Sequence, residues 1–278
     1  MQRTLSKVVR TAGVGLHTGK ECLMTLYPAP ENTGILFIHN RVQLPAHISY
    51  VTSTKLATTL SNEGVSVMTV EHLLAALYSK KITNCFINLS EKEVPVMDGS
   101  AEPFVKLIED AGTELQSVDR NVLRVLKRVS VRNGDSFVDI IPFDSFRVDC
   151  SIDYDHPIIG KQEYAYGESD YSFTNEISYA RTFGFKKDIE KMQSEGYALG
   201  GGVDNAIVLT EDGILNKEGL RYNNEFARHK VLDAIGDLYL SGYEIQGLFY
   251  GHKSGHSLNI ELVRKLLADE SAYEIIKK

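Results

Sequence analysis

The chain has 278 residues, of which 43% are hydrophobic and 24% are charged. This composition is ordinary for a globular protein with one large domain or two smaller ones. The net charge of −7 argues against nucleic acid as a partner, because phosphate binding needs basic patches. No apolar run approaches the roughly 18 to 20 residues that a helical membrane span needs, so we expect no membrane span.

Three cysteines, Cys22, Cys85 and Cys150, are widely spaced and form no Cys-x-x-Cys pair. An odd number of distant cysteines predicts free thiols in a reducing compartment rather than a disulfide framework. Residues 1–4 lead into an alternating segment and lack the pattern of a signal peptide. We therefore expect a cytoplasmic protein.

The chain begins with short strands. Alternating runs bounded by Pro and Asn predict strands at residues 5–9, 22–27, 34–39 and 55–60. Between the first two runs, residues 11–19 form a glycine-rich loop that contains His17. This histidine could face a site, although a histidine in such a loop is more often a turn residue.

The first helix is predicted at residues 69–78, where the apolar spacing becomes helical. Glu71 and His72 lie in its first turn. A carboxylate is favoured there by the helix dipole, so a structural role is available to Glu71. The functional alternative is that His72 is a metal ligand and Glu71 is a base beside metal-bound water, and this motif alone does not decide between them.

The middle of the chain suggests a domain boundary. A strand at 84–89 is followed by a turn-rich segment at 94–100 and a helix at 101–111. Residues 112–119 are polar and lack periodicity. We therefore predict two domains, at residues 1–118 and 119–278.

The second half repeats the order of strands before helices. Predicted strands occupy residues 122–131, 137–142, 146–153, 206–209 and 247–250, and predicted helices occupy residues 175–180, 187–195, 222–240 and 258–268. The Asn133-Gly134 pair predicts a hairpin turn between the first two of these strands. After the last helix we expect only a charged tail. Each half is thus predicted to be α+β, with helices packed on one face of a mostly antiparallel sheet.

The helix at 222–240 carries the strongest chemical signal. At about 100° per residue, His229, Asp233 and Asp237 fall on one stripe opposite an apolar back. His and Asp at i, i+4 can share one metal ion, but two ligands are too few for tight zinc, so a third should come from elsewhere. The simpler alternative is a surface helix whose histidine pairs with an aspartate.

Two other classes of function are disfavoured. The glycine run at residues 199–205 lacks the Gly-Lys-Ser/Thr ending of a P-loop, which argues against a phosphotransferase. Structural zinc sites are usually closed and rich in cysteine, and no cysteine lies near the His/Asp motifs in sequence.

With these motifs in order, the chain resembles the UDP-3-O-acyl-N-acetylglucosamine deacetylases of lipid A biosynthesis. The motifs that carry the resemblance are residues 13–19, 69–73, 96–101, 180–185, 199–201, 228–238 and 252–256. The resemblance implies an α+β fold of two similar β-α-α-β layered domains, with the active site in the cleft between them. It also implies a small insert in each half, the second around residues 187–203, where it helps to form a channel for the acyl chain.

The resemblance implies one Zn²⁺ per chain, with His72, His229 and Asp233 as ligands; the same ligands also suit Fe²⁺. It implies that Glu71 is the general base for metal-bound water and that His256 is an acid or an electrostatic stabiliser. Read alone, His256 would be a turn residue.

Further roles follow from the same resemblance. Thr182 would stabilise the oxyanion, Asp237 would orient His256 and keep it charged, and Lys230 would reach into the cleft towards substrate phosphate or the oxyanion. The implied substrate contacts are Leu16, His17, Tyr154, Phe183, Phe185, Asp188, Ile189, Ala198, Gly201 and Lys253.

The expected function is therefore removal of the N-acetyl group from UDP-3-O-acyl-N-acetylglucosamine, the committed step of lipid A biosynthesis, by a monomer. The alternative is a zinc amidohydrolase acting on a different N-acetylated sugar or peptide. That enzyme would keep the ligands, Glu71 and His256, but would not depend on the acyl chain or on UDP.

Overall fold

The structure is a computed structural model that describes residues 1–167 and 173–278. Its α-helices are α1 (Glu71–Ser79), α2 (Glu102–Ala111), α3 (Lys186–Ser194), α4 (Glu225–Tyr239) and α5 (His256–Ala268). Single helical turns lie at Ile48–Tyr50, Phe173–Ile177 and Glu270–Ala272.

The strands of the first half are β1 (Arg3–Leu5), β2 (Val9–Val14), β3 (Glu21–Pro28), β4 (Ile35–His39), β5 (Val42–Pro45), β6 (Val51–Ser53), β7 (Thr59–Asn62), β8 (Val65–Met68), β9 (Cys85–Leu89) and β10 (Thr113–Leu115). The strands of the second half are β11 (Asn121–Val125), β12 (Val129–Asn133), β13 (Ser136–Ile141), β14 (Phe146–Asp153), β15 (Lys161–Gly167), β16 (Phe183–Phe185), β17 (Ile207–Leu209), β18 (Glu244–His252) and β19 (Tyr273–Lys277). The predicted α+β class is confirmed.

The first half contains a five-stranded sheet in the order β2-β3-β9-β4-β5. Its neighbouring strands are antiparallel except β4 and β9, which are parallel. In β3, Cys22, Met24 and Leu26 are fully buried, whereas Leu23 and Tyr27 are exposed. Because alternate side chains of a strand point to opposite faces, one face of this sheet packs on the core and the other faces solvent.

The second half contains a seven-stranded sheet in which β18 is central. β18 pairs with β11 and β14 in parallel and with β13 antiparallel. The predicted hairpin is confirmed: β12 and β13 pair from Asn133 and Ser136, with Gly134 at a φ of 62° in the turn. The predicted single strand at 122–131 is wrong, because β11 and β12 are separate strands that pair with different neighbours.

The predicted charged tail is also wrong. β19 pairs antiparallel with β11, so that Lys277 lies opposite Asn121. Its two isoleucines are adjacent, which breaks the alternation typical of a half-buried strand, and its partner is distant in sequence. The local pattern therefore did not reveal a strand. Likewise β2 covers residues 9–14, so the glycine-rich stretch is a strand at its start and a loop only from residue 15.

Helices α1 and α4 pack along each other and join the two halves through one continuous core. The apolar back of α4 is fully buried, for example at Val231 and Ile235. The opposite stripe is buried as well, since His229, Asp233 and Asp237 are at most 2% exposed. The surface-helix alternative is therefore wrong.

Three further expectations concern the cysteines, a membrane span and the domain division. Cys22, Cys85 and Cys150 are buried free thiols. No helix in the described part of the chain is long and apolar enough to cross a membrane. The division at residue 118 stays a prediction; part of the segment predicted to be aperiodic forms β10, which pairs with β1.

Candidate active site

Three possible metal ligands, two from α4 and one from α1, meet in a buried cleft. One ligand atom from each of His72, His229 and Asp233 lies within 4.8 Å of the others. Asp233 Oδ1 is 3.5 Å from His72 Nε2 and 3.3 Å from His229 Nε2. This oxygen is buried and accepts no hydrogen bond from any described residue. An unpaired buried carboxylate oxygen facing two imidazole nitrogens fits a divalent cation.

The protonation states suit a metal. His229 Nδ1 lies 3.0 Å from the carbonyl oxygen of Ala180, which fixes the ring and leaves Nε2 free to face the triad. Burial lowers the pKa of His229 to about 3, so the imidazole is neutral. Burial by itself raises the pKa of Asp233, but the Lys230 ammonium, 2.8 Å away, holds it well below its usual range.

Gly236 brings α1 and α4 close enough to assemble the triad. A Cβ added there would lie 2.0 Å from the carbonyl oxygen of Glu71. No real side chain tolerates that separation, so glycine is required where α4 crosses the start of α1. The contact places Glu71 and His72 beside the His229 and Asp233 side chains, and it could not be read from helical periodicity.

Glu71 lies against the triad and is 2% exposed. Its Oε2 accepts a hydrogen bond from the backbone N–H of Thr58 at 3.2 Å, and its Oε1 lies 3.5 Å from His256 Nε2. Burial raises the pKa of Glu71 above its ordinary value. A carboxylate with a raised pKa is a stronger base, which suits proton abstraction near neutral pH.

His256 begins α5 and is held by Asp237. The distance from His256 Nδ1 to Asp237 Oδ2 is 2.8 Å. Burial by itself lowers the pKa of His256, but the carboxylates of Asp237 and Glu71 raise it to about 10. The imidazole is therefore a cation at neutral pH, and the role of Asp237 in catalysis stays a prediction.

Two partners of Asp237 were absent from the sequence-based prediction. Thr58 Oγ1 donates to Asp237 Oδ1 at 2.7 Å, and Asn259 Nδ2 donates to Oδ2 at 2.9 Å. Neither residue belongs to a recognisable motif. They come from distant segments and are identified only by the tertiary structure.

The cleft has a volume of about 300 Å³. The predicted residues that line it are Leu16, His17, Glu71, His72, Tyr154, Thr182, Phe183, Phe185, Asp188, His229, Lys230, Asp233 and His256. Leu56, Thr69, Gly184 and Met192 line it too and were not predicted.

An apolar pocket of about 320 Å³ adjoins the cleft and shares Leu16, Thr182 and Phe183 with it. Three residues predicted for the acyl channel, Ile189, Ala198 and Gly201, line this pocket rather than the cleft.

Lys253 is the one predicted substrate contact that lines neither cavity. Its Nζ lies 2.8 Å from Asp135 Oδ2 and 3.5 Å from Asp153 Oδ2. Since Asp153 precedes Tyr154 of the cleft, Lys253 lies near the rim, and a substrate role for it stays a prediction.

The α+β fold, the buried His/His/Asp triad and the adjoining carboxylate–imidazole pair are typical of metal-dependent hydrolases. The profile of the LpxC family, UDP-3-O-acyl N-acetylglycosamine deacetylase, matches residues 2–268. UDP-3-O-acyl-N-acetylglucosamine deacetylases from Hahella chejuensis (strain KCTC 2396) and Pseudomonas entomophila (strain L48) are each 49% identical over 281 aligned positions, which cover 99% of this chain and 93% of theirs. The chain belongs to this deacetylase family.

Proposed function

We propose that this chain is a zinc-dependent hydrolase that removes the N-acetyl group from UDP-3-O-acyl-N-acetylglucosamine. The observation that carries the proposal is the buried triad with Glu71 and His256 beside it, in a cleft that opens onto an apolar pocket. Water attacks the acetamide carbonyl carbon, the C–N bond breaks, and acetate and a free sugar amine are the products.

The ligands proposed for Zn²⁺ are His72, His229 and Asp233. When bound, the metal supplies Lewis-acid polarisation of the carbonyl oxygen and makes water more acidic. Imidazole and carboxylate ligands also suit Fe²⁺, so metal content is part of the test below.

The proton transfers are assigned to two side chains. Glu71, whose pKa burial raises, takes a proton from the attacking water as general base. His256, held as a cation by Asp237, stabilises the developing negative charge and donates a proton to the leaving amine. Thr182 lines the cleft beside the triad, and we assign its hydroxyl to the oxyanion.

Substrate recognition is assigned to the surroundings of the triad. The apolar pocket suits the acyl chain, because it is lined by side chains such as Ile189 and Val208. Lys230 Nζ lies 5.4 Å from the centroid of the Phe183 ring. The Tyr154 ring packs edge-on against Phe183, with ring centroids 5.9 Å apart. A fixed cation beside aromatic rings suits the UDP-sugar portion. We further propose that the enzyme is monomeric and cytoplasmic.

The test is hydrolysis of UDP-3-O-acyl-N-acetylglucosamine by the purified chain before and after chelation, with metal content measured in the same samples. We expect acetate release that is lost on chelation and restored by about one Zn²⁺ per chain, the stoichiometry of a single three-ligand catalytic site. Equal activity on an N-acetylated sugar without UDP or acyl chain would favour the alternative amidohydrolase. Absence of acetate release from folded, metal-loaded protein would overturn the proposal.

A further inference from the structure

Glu93 is a fully buried carboxylate to which the proposed reaction assigns no role. Its Oε1 accepts hydrogen bonds from the backbone N–H of His17 and from Thr69 Oγ1, both at 2.9 Å. Its Oε2 accepts from the backbone N–H and the hydroxyl of Thr18, both at 2.7 Å. Four donors from two distant segments therefore converge on one side chain.

The segment that contains Thr69 leads directly into α1, the helix that carries Glu71 and His72. Thr69 lies two residues before Glu71 and has a φ of 59°, in the left-handed region that a β-branched residue rarely adopts. The residue at the N-cap of α1, Val70, offers no side-chain hydrogen bond. The hydrogen bond from Thr69 to Glu93 therefore supplies a side-chain restraint at the point where the chain enters α1.

The other segment forms the wall between the cleft and the apolar pocket. Leu16 and His17 line both cavities. Their carbonyl oxygens accept hydrogen bonds from the N–H groups of Gly200 and Leu199, each at 3.1 Å, in the loop that follows α3. Gly15 makes room for the carboxylate, since an added Cβ would lie 2.4 Å from Glu93 Oε2.

We propose that Glu93 is a positioning residue for deacetylation, which keeps the start of α1 in register with the loop at residues 16–18. It acts through Glu71 and His72 on one side and through the pocket wall on the other. This inference rests on the proposed function. It extends that function by linking the acyl-binding wall to the catalytic helix through one side chain.

The chemistry of the site requires a carboxylate rather than an amide. Each oxygen of Glu93 faces a backbone N–H, which cannot reverse its direction. An ionised carboxylate accepts only, and so matches all four donors. In a Glu93→Gln variant, either orientation of the amide turns its NH₂ group towards a backbone N–H and leaves buried donors unpaired.

The first experiment compares Glu93→Gln with Asp139→Asn. Asp139 is also a buried carboxylate, and its partner is Arg128, whose Nη2 lies 2.6 Å away. It lies on β13 and lines neither the cleft nor the pocket. We expect kcat/KM of Glu93→Gln to fall about 10²-fold, the loss expected when catalytic side chains are displaced by about 1 Å. Asp139→Asn should retain wild-type kcat/KM. Amide hydrogen exchange at His17 and Thr18 should accelerate only in Glu93→Gln.

A second set of variants separates the two segments. Thr69→Val removes a hydroxyl and keeps the β-branched shape, while Thr69→Ser keeps the hydroxyl; we expect kcat to fall in the first and to be retained in the second. Thr18→Val removes one of the three loop donors to Glu93, the hydroxyl, and leaves the Thr69 contact intact. For this variant we expect KM for long-acyl substrate to rise more than kcat falls. If Glu93→Gln does not fold, the comparison of Thr69→Val with Thr69→Ser is sufficient to test the proposal.

These experiments distinguish failure of the positioning role of Glu93 from failure of the proposed deacetylase function. A wild-type chain that releases no acetate overturns the function itself. An active wild type with wild-type kinetics in both Glu93→Gln and Thr69→Val overturns only the positioning role. Equal losses in Glu93→Gln and Asp139→Asn would likewise assign Glu93 a purely structural role.

Discussion

Gly236 and Glu71 are in backbone contact where α4 crosses the start of α1, with the position of an added Cβ only 2.0 Å from the Glu71 carbonyl oxygen. This contact sets the distance between the helix that supplies His229 and Asp233 and the helix that supplies His72. The geometry of the triad therefore depends on a residue that has no chemical function of its own.

Gly236→Ala should damage both stability and activity. The new methyl group must push the helices apart, because the atom it meets belongs to the backbone. We expect the free energy of unfolding to fall by about 1–3 kcal/mol, as for overpacked cores, and kcat/KM to fall about 10²-fold. Denaturant unfolding and steady-state kinetics measure the two effects.

Gly167→Ala is the matched control for this change. A Cβ added at Gly167 meets no atom of residues 1–167 or 173–278 within 4 Å, so this variant should retain wild-type kcat/KM. Wild-type kinetics in Gly236→Ala would show that the helix crossing does not set the triad geometry.

The charge on His256 should depend on Asp237. The pKa of His256 is about 10, so the imidazolium persists through neutral pH and is lost as the pH rises through that value. Asp237→Asn removes the carboxylate that raises this pKa. The basic limb of the kcat/KM profile should then move to lower pH by at least about one unit, as expected for loss of an opposite charge in direct contact.

The direction of this shift is the test. A basic limb at the same pH in Asp237→Asn and wild type would remove His256 ionisation from the mechanism. Asp139→Asn, which alters a buried carboxylate on β13, should leave the profile unchanged.

Glu71 and Asp233 should respond differently to substitution. Asp233→Ala removes a ligand, so metal content and turnover should be lost together. Glu71→Gln removes the base and no ligand, so the metal should remain while kcat falls by about 10²–10⁴-fold, the usual contribution of general acid–base catalysis. Metal analysis and kinetics on the same samples separate the two cases. Full turnover in Glu71→Gln would exclude Glu71 as the base.

Gly201 should control access of the acyl chain to the apolar pocket. A Cβ at this position would lie 3.3 Å from Leu16 Cδ1, the flexible end of a side chain, so Gly201→Ala should have little effect. Gly201→Leu would occupy part of the 320 Å³ pocket. We expect KM for long-acyl substrate to rise at least about 10- to 100-fold, since a change of one methylene in a hydrophobic pocket already has an effect of that order.

A short-acyl substrate provides the internal control for the same variants. Because it does not fill the pocket, its KM should be similar in Gly201→Leu and wild type. Equal increases for short and long chains would mean that this pocket does not hold the acyl chain.

Local sequence patterns predicted the five α-helices and about half of the nineteen strands of the described residues. Helical spacing placed His229, Asp233 and Asp237 on one stripe, because residues four apart are neighbours on any helix. The Asn133-Gly134 turn was also local, and the structure confirms it. The resemblance to a known family added His72, Glu71 and His256 from elsewhere in the chain.

How these pieces meet depends on long-range packing that no local pattern reports. β19 became recognisable as a strand through its pairing with β11, about 150 residues earlier, since its own residues alternate weakly. Glu93 contacts Thr18 across 75 positions and Thr69 across 24. Periodicity reports which face of an element is apolar, but it carries no information about which distant backbone donors converge on a buried carboxylate. That convergence, and the close approach at Gly236, are consequences of packing in three dimensions.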